Sequence, residues 1–70
     1  MKWTNICLNV WIGGIRVKDN FYNCRVTDTG SGIILLIQKD DNILLRETYN
    51  TSSVDEVKVF AEGFILNYHE

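Results

Sequence analysis

Hydrophobic and polar residues alternate along most of the chain, and a period of two residues predicts β-strands. Gly13-Gly14 predicts a tight hairpin turn between the first two of these segments, because glycine tolerates the positive φ that such turns require. A bend at Asp19-Asn20 makes the second segment either one bent strand or two short ones. The strands are predicted over about residues 4–12, 15–27, 33–39 and 43–49. They predict an antiparallel meander of four or five strands.

The last quarter of the chain, about residues 54–68, is predicted to be a helix. Its apolar residues recur at helical spacing within an arc of about 140°, the width of a core-facing stripe. They are Val54, Val57, Phe60, Ala61, Phe64, Ile65 and Tyr68. Ser53 is the predicted N-cap, since Glu56 follows three residues later as in a capping box. The predicted fold is a single α+β domain over residues 1–70, with this amphipathic helix packed on one face of the sheet.

The chain carries more apolar surface than one helix can cover. Ile33–Ile37 is apolar on both faces, which is typical of a strand covered on both sides. The helix has a second apolar group on nearly its opposite side, and a mid-helix glycine costs about 1 kcal/mol relative to alanine, which favours close approach of another backbone. We therefore expect a protein partner or a second copy at the helix, or on the uncovered sheet face, where Trp3 and Trp11 are candidates. The predicted partner or dimer contacts are Val59, Gly63, Leu66, Trp3 and Trp11.

Length and charge restrict the class of protein. A domain of 70 residues buries only about 60% of its unfolded surface, so oligomerisation would help its stability. A formal net charge of −2 argues against a duplex-binding protein and against a heavily acidic DNA mimic. The longest apolar run, Ile33–Ile37, is far shorter than the roughly 20 residues of a membrane span, and residues 1–15 lack the pattern of a signal peptide. We expect a cytoplasmic protein with Cys7 and Cys24 reduced and with no membrane partner.

One motif suggests catalysis. Asp28-Thr29-Gly30-Ser31 matches the active-site turn of aspartic proteases, in which two aspartates share one proton. Two features depart from the pattern of retroviral-type proteases. Those proteases have apolar residues immediately before the aspartate, whereas this chain has Thr27 there, and no later hairpin is free to act as a flap. A turn between two strands is the favoured interpretation, and a dimeric aspartic protease is a remote alternative.

No other residues indicate an enzyme or a cofactor. The single histidine is His69, and Cys7 and Cys24 lack the spacing of a metal site. No glycine-rich loop has the spacing of a phosphate cradle. We expect a non-enzymatic protein with no catalytic residue, metal or cofactor.

Nucleic acid is the alternative partner. Aromatic residues Trp3, Trp11, Phe21 and Tyr22 lie close in sequence to basic ones, and an aromatic-basic sheet face binds single strands by base stacking. The competing interpretation is that the aromatics belong to the core and the basic residues to solvated strand edges. The predicted nucleic-acid contacts are Arg16, Lys18 and Arg25.

The order of these elements resembles small accessory proteins of bacteriophages and mobile elements, anti-CRISPR proteins among them. The resemblance lies in the meander over 33–49 followed by the helical segment over 54–65, and it includes no diagnostic motif. It implies an inhibitor that binds a host defence enzyme stoichiometrically in the host cytoplasm, as such proteins often do in the form of homodimers.

Overall fold

The chain folds into one antiparallel sheet and one helix in a computed structural model that describes residues 1–68. The elements are β1 (Lys2–Cys7), β2 (Val10–Val17), β3 (Asn20–Asp28), β4 (Ile33–Lys39), β5 (Asn42–Tyr49) and α1 (Val54–Leu66). The strands lie side by side in chain order, from β1 at one edge to β5 at the other. The predicted α+β meander with a single C-terminal helix is confirmed.

The first predicted strand is wrong. The chain turns at Leu8-Asn9, so residues 4–12 belong to two strands, and Gly13-Gly14 lies inside β2 instead of at a turn. Side chains cover both glycines: a Cβ built on Gly13 would lie 3.0 Å from Cε3 of Trp3, and one on Gly14 would lie 2.8 Å from Cζ of Phe21. These positions are glycine because aromatic rings pack on them.

The second predicted strand divides into β2 and β3 at a two-residue turn, Lys18-Asp19, one residue before the predicted bend. Lys18 adopts φ 58°, and Asp40, in the equally short turn between β4 and β5, adopts φ 54°. Tight two-residue hairpins need positive φ to match the twist of their strands. In these turns a lysine and an aspartate, and not a glycine, adopt the positive φ.

The core lies between α1 and the two central strands. It consists of Tyr22, Cys24, Val26, Ile33, Leu35, Ile37, Val57, Ala61 and Ile65. On the helix the buried stripe is narrower than the predicted one, because Phe60 is 46% exposed. Its ring lies at the margin of the core against Tyr49, with 5.5 Å between the ring centroids.

The helix begins where the sequence predicts and ends two residues earlier. Ser53 Oγ accepts a hydrogen bond from the Glu56 backbone N–H at 3.3 Å, which is the predicted N-cap contact. At the other end Asn67 caps α1: its backbone N–H and its Nδ2 both donate to the Gly63 carbonyl. Asn67 therefore stops the helix before Tyr68.

Candidate binding surface

The sheet face opposite α1, which we call the open sheet face, is defined by the strand register. Residues paired across antiparallel strands point to the same side of a sheet. The row that starts at β1 and crosses to β5 contains Thr4, Ile12, Arg25, Leu36 and Arg46, and the neighbouring row on this face contains Lys2, Gly14, Asn23, Gln38 and Ile43. These residues alternate along the strands with the buried core, so their side chains point away from α1.

A β-bulge shapes one margin of this face. Ile37 pairs with Leu45 while Gln38 pairs with Ile43, so Leu44 is an extra residue in β5. Simple alternation predicts that Ile43 and Leu45 share a face, and this is wrong. The bulge places Leu45 on the helix side and leaves Ile43 on the open sheet face, 59% exposed.

Four of the seven lysines and arginines point from the open sheet face: Lys2, Arg16, Arg25 and Arg46. Within residues 1–68 the carboxylates lie elsewhere. Those of α1 are Asp55, Glu56 and Glu62, those of the turns are Asp19, Asp40 and Asp41, and those on the helix side of the sheet are Asp28 and Glu47. The net charge of −2 thus conceals a basic surface that faces away from the acidic helix.

Apolar side chains lie between these basic groups. Ile12 and Phe21 are each 38% exposed, and Ile34 and Leu36 are half-buried beside them. Arg16 places its guanidinium carbon 5.9 Å from the centre of the Phe21 ring, a cation–π contact. The surface is both apolar and cationic, and contiguous exposed apolar side chains rimmed by polar groups are typical of interaction sites.

Two adjoining recesses interrupt this face. The first, of about 230 Å³, is lined by Thr27, Ile34, Ile43 and Arg46 together with Arg25 and Leu36. The second, of about 360 Å³, is bordered by Ile12, Asn23 and Gln38 and also by Arg25 and Leu36. Arg25 and Leu36 therefore form the wall between the recesses, at the middle of the sheet.

The predicted aromatic-basic cluster is split between the two sides of the sheet. Arg16, Arg25 and Phe21 lie on the open sheet face, whereas Lys18 lies in the turn between β2 and β3. Trp3, Trp11 and Tyr22 pair with residues of the helix side and pack against the core. Placing the two tryptophans on the uncovered face was wrong, because α1 covers the face that carries Trp3 and Trp11 and leaves Ile12 on the open sheet face.

The tryptophans instead attach the first hairpin to α1. Lys58 Nζ lies 5.7 Å from the centre of the Trp3 ring and 5.2 Å from that of Trp11. Trp3 Nε1 donates a hydrogen bond to Glu62 Oε1 at 3.1 Å, and the Met1 amino group lies 3.9 Å from Glu62 Oε2. One face of each indole is therefore occupied within the chain.

The predicted contact residues on α1 lie on its outer side. Val59 is 71% exposed and Leu66 is 59% exposed. Nothing lies within 4 Å of a Cβ built on Gly63, so no part of the described chain requires glycine there. A role of these three residues in contact with a partner or a second copy stays a prediction.

Asp28-Thr29-Gly30-Ser31 comprises the last residue of β3 and most of the connection to β4. Asp28 Oδ1 accepts a hydrogen bond from Gly30 N at 2.9 Å, and Thr29 Oγ1 donates to the Gly32 carbonyl at 2.9 Å. Gly30 has φ 87°, which glycine adopts without strain. These contacts give Asp28, Thr29 and Gly30 a structural role in the turn, as in an Asx turn.

The remaining reactive side chains are the two free cysteines. Cys24 is buried beneath α1, and desolvation, reinforced by the charge of Glu62, raises its pKa to about 11. Cys7 is exposed at the end of β1. Residues 1–68 contain no group of three or more His, Cys, Asp or Glu side chains arranged to hold a metal.

Comparison with known proteins finds no matching family model, and neither the curated proteins nor the solved structures include a significant match. Within residues 1–68 no helix is long and apolar enough to cross a membrane.

The sequence identified part of the open sheet face. Arg16 and Arg25 were predicted contacts, whereas Lys2, Ile12 and Arg46 were missed. A usable signal was present in the alternation, because Arg25 shares its phase of β3 with Asn23 and Thr27, and neither Arg25 nor Arg16 has a carboxylate in the same phase of its strand. Aligning Lys2 and Arg46 with them requires the register of both edge strands.

Proposed function

We propose that the chain is a non-enzymatic binding protein that docks a protein partner on its open sheet face. The observation that carries the proposal is the set of four basic side chains around exposed apolar ones, with no carboxylate on that face within residues 1–68. The complementary partner surface carries carboxylates between apolar side chains.

The chemistry of this face favours such a partner. Arginine and aromatic residues are enriched in protein interfaces, and a guanidinium can bind a carboxylate through two parallel hydrogen bonds. Arg25 stands between two recesses, of which the one lined by Ile34, Leu36 and Ile43 offers apolar surface for an anchoring side chain. Two copies meeting face to face through this surface would bring like charges together, so it suits a different molecule better than a symmetric dimer.

A charge-reversal pair tests the proposal. Arg25→Glu and Lys18→Glu change the net charge equally, but only Arg25 lies on the open sheet face. Partners are captured from a nuclease-treated host extract, purified, and titrated against each variant by calorimetry. We expect Arg25→Glu to weaken binding by about tenfold or more and Lys18→Glu to change it by less than about twofold. Equal effects of the two variants would contradict the proposed surface.

Single-stranded nucleic acid is the second candidate. Phe21 offers a ring for base stacking with Arg16 beside it, and Asn23 and Gln38 pair across β3 and β4 where their amides can hydrogen-bond to base edges. The test is the anisotropy of labelled oligonucleotides at low and high salt with the wild type and Phe21→Ala. Absence of salt-sensitive binding at low salt would exclude this candidate.

Inhibition of a host defence enzyme and homodimer formation remain proposals based on the sequence. The exposed Val59 and Leu66 support self-association through the outer side of α1. Light-scattering mass of the wild type, Val59→Asp and Leu66→Asp tests it. A monomer at every concentration would rule the dimer out, and a dimer unaffected by either change would move the interface elsewhere.

A further inference from the structure

A small recess lies at the junction of β5 and α1, away from the open sheet face. Its walls are the rings of Tyr49 and Phe60, whose centroids are 5.5 Å apart with 58° between the ring planes. Val57 forms its apolar floor, and the polar rim consists of Asn50, Thr51 and Glu56. The volume is about 290 Å³, which suits one long side chain better than a drug-sized ligand.

The charges around this recess are negative. Glu56 is exposed on the rim and makes no ion pair within residues 1–68. Glu47 lies two residues before Tyr49 on the same side of β5, and burial together with the Glu47 carboxylate raises the pKa of Tyr49. Asp55 adds a further carboxylate to the first turn of α1, whereas Lys58 lies over Trp3 and Trp11.

The positive end of the helix dipole lies close to the recess and opposes this field in part. Ser53 Oγ already accepts the Glu56 N–H, which satisfies one of the free amides at this end. Asp55 and Glu56 offset the remaining positive potential. Among the rim side chains Glu56 carries the negative charge, whereas Asn50 and Thr51 are neutral and offer both donors and acceptors.

We propose that this recess binds an organic cation, an alkylammonium or guanidinium group. The faces of Tyr49 and Phe60 attract a cation through their ring quadrupoles, and the Glu56 carboxylate supplies a charge-assisted hydrogen bond. The methylene stem of a lysine or arginine side chain would pack on Phe60 and Val57 while its charged end meets Glu56.

A line of aromatic rings continues from the recess along α1. Phe60 and Phe64 have centroids 6.4 Å apart, Phe64 and Tyr68 are 5.8 Å apart, and Tyr68 reaches Tyr22 at 6.3 Å. Phe60 is the exposed member, while Phe64 and Tyr68 are half-buried. A cationic side chain carried on a peptide would gain contacts along this line that a free ammonium ion cannot make.

The experiment is a titration of the folded protein followed by the backbone amide NMR signals of Thr51, Glu56 and Val57. The probes are tetramethylammonium chloride, N-acetyl-lysine methylamide, N-acetyl-arginine methylamide, a short lysine-containing peptide, and the same peptide with its lysine acetylated. We expect saturable shifts with dissociation constants on the order of 1 mM for the small cations, and tighter binding of the lysine peptide. Equal affinity of the lysine peptide and the small cations would identify a site for free cations, and tighter binding of the peptide a site for a side chain.

Matched variants separate the cation site from a general surface effect. Glu56→Gln removes the charge, and Phe60→Leu removes the aromatic face while retaining apolar bulk; we expect each to weaken binding about threefold or more. Asp41→Asn, in the turn at the opposite end of β5 from Tyr49, and Phe21→Leu, on the open sheet face, are the controls and should leave the dissociation constant of the recess unchanged. Three results would each overturn the proposal. They are equal shifts with the acetylated peptide, an equal loss of affinity in the controls, and no shift at a ligand concentration about ten times the expected dissociation constant.

Discussion

Gly32 and Gly63 are two glycines in opposite environments, and the same substitution should affect them in opposite directions. A Cβ on Gly32 would lie 3.0 Å from the Tyr49 carbonyl oxygen, whereas one on Gly63 meets nothing within 4 Å. We expect Gly63→Ala to raise the free energy of unfolding by about 0.5–1 kcal/mol, because alanine is the better helix former. Gly32→Ala should lower it by about 1–3 kcal/mol, because backbone must move.

Urea unfolding followed by circular dichroism measures both changes. A loss of stability in Gly63→Ala at a concentration where the protein is monomeric would contradict the open space seen around this residue. If α1 pairs with a second copy through Gly63, Gly63→Ala should weaken the dimer. Light scattering should then give a lower molar mass than for the wild type, while the monomer of the variant is more stable.

The Cys24 thiol should keep its proton to a higher pH in the folded protein than in the unfolded chain. Its thiol has a pKa of about 11 in the folded chain against an ordinary value of 9.0, so it stays neutral where the unfolded chain already ionises. Stability due to this group is constant below about pH 9 and falls between about pH 9 and 11, by up to about 2–3 kcal/mol.

The measurement for Cys24 is the free energy of unfolding of the wild type and Cys24→Ala from pH 7 to pH 10.5. The difference between the two proteins should shrink as the pH rises. At pH 8 a thiol reagent should modify Cys7 rapidly and Cys24 only in denaturant; rapid modification of both would contradict the burial of Cys24.

At the scale of secondary-structure elements, Lys58 joins the first hairpin to the helix by lying against two indole rings. We expect Lys58→Ala to lower the free energy of unfolding by about 1–2 kcal/mol, since each cation–π contact at a partly exposed site contributes about 0.5–1 kcal/mol. Lys18→Ala is the control, because Lys18 lies in an exposed turn. Thermal unfolding of both variants measures the difference, and equal melting temperatures would show that Lys58 does not hold the hairpin.

Elements with a strong local signal were predictable, and those that depend on distant residues were not. The helix start at Ser53 and the bounds of β4 followed from periodicity and capping. The turn predicted at Gly13-Gly14 was wrong because the sequence does not distinguish a glycine needed for positive φ from one needed for close packing. The deciding neighbours, Trp3 and Phe21, become visible only once β1, β2 and β3 are in register. The bulge in β5 could not be predicted for the same reason, because it depends on the register of β4 and β5.

At the scale of the whole molecule, the open sheet face could not be predicted from net charge, because net charge does not show how the charged side chains are distributed. A net charge of −2 argued against anionic partners, yet the fold separates the basic side chains of the sheet from the carboxylates of the helix and turns. Arg16 and Arg25 could be identified from neighbouring segments. Lys2 and Arg46 belong to opposite edge strands, and only the strand order brings them onto the same face.

This separation predicts that the protein binds a polyanion despite its negative net charge. On a heparin column at pH 7 and low salt we expect retention through the open sheet face, and elution well below about 1 M salt, where the screening length falls to about 3 Å. Arg25→Glu and Lys18→Glu both change the net charge from −2 to −4, so total charge cannot distinguish them. Loss of retention in the first variant alone would locate the binding potential on the open sheet face. Equal losses would mean that the protein responds to its summed charge and that the segregation seen in the fold has no consequence for binding.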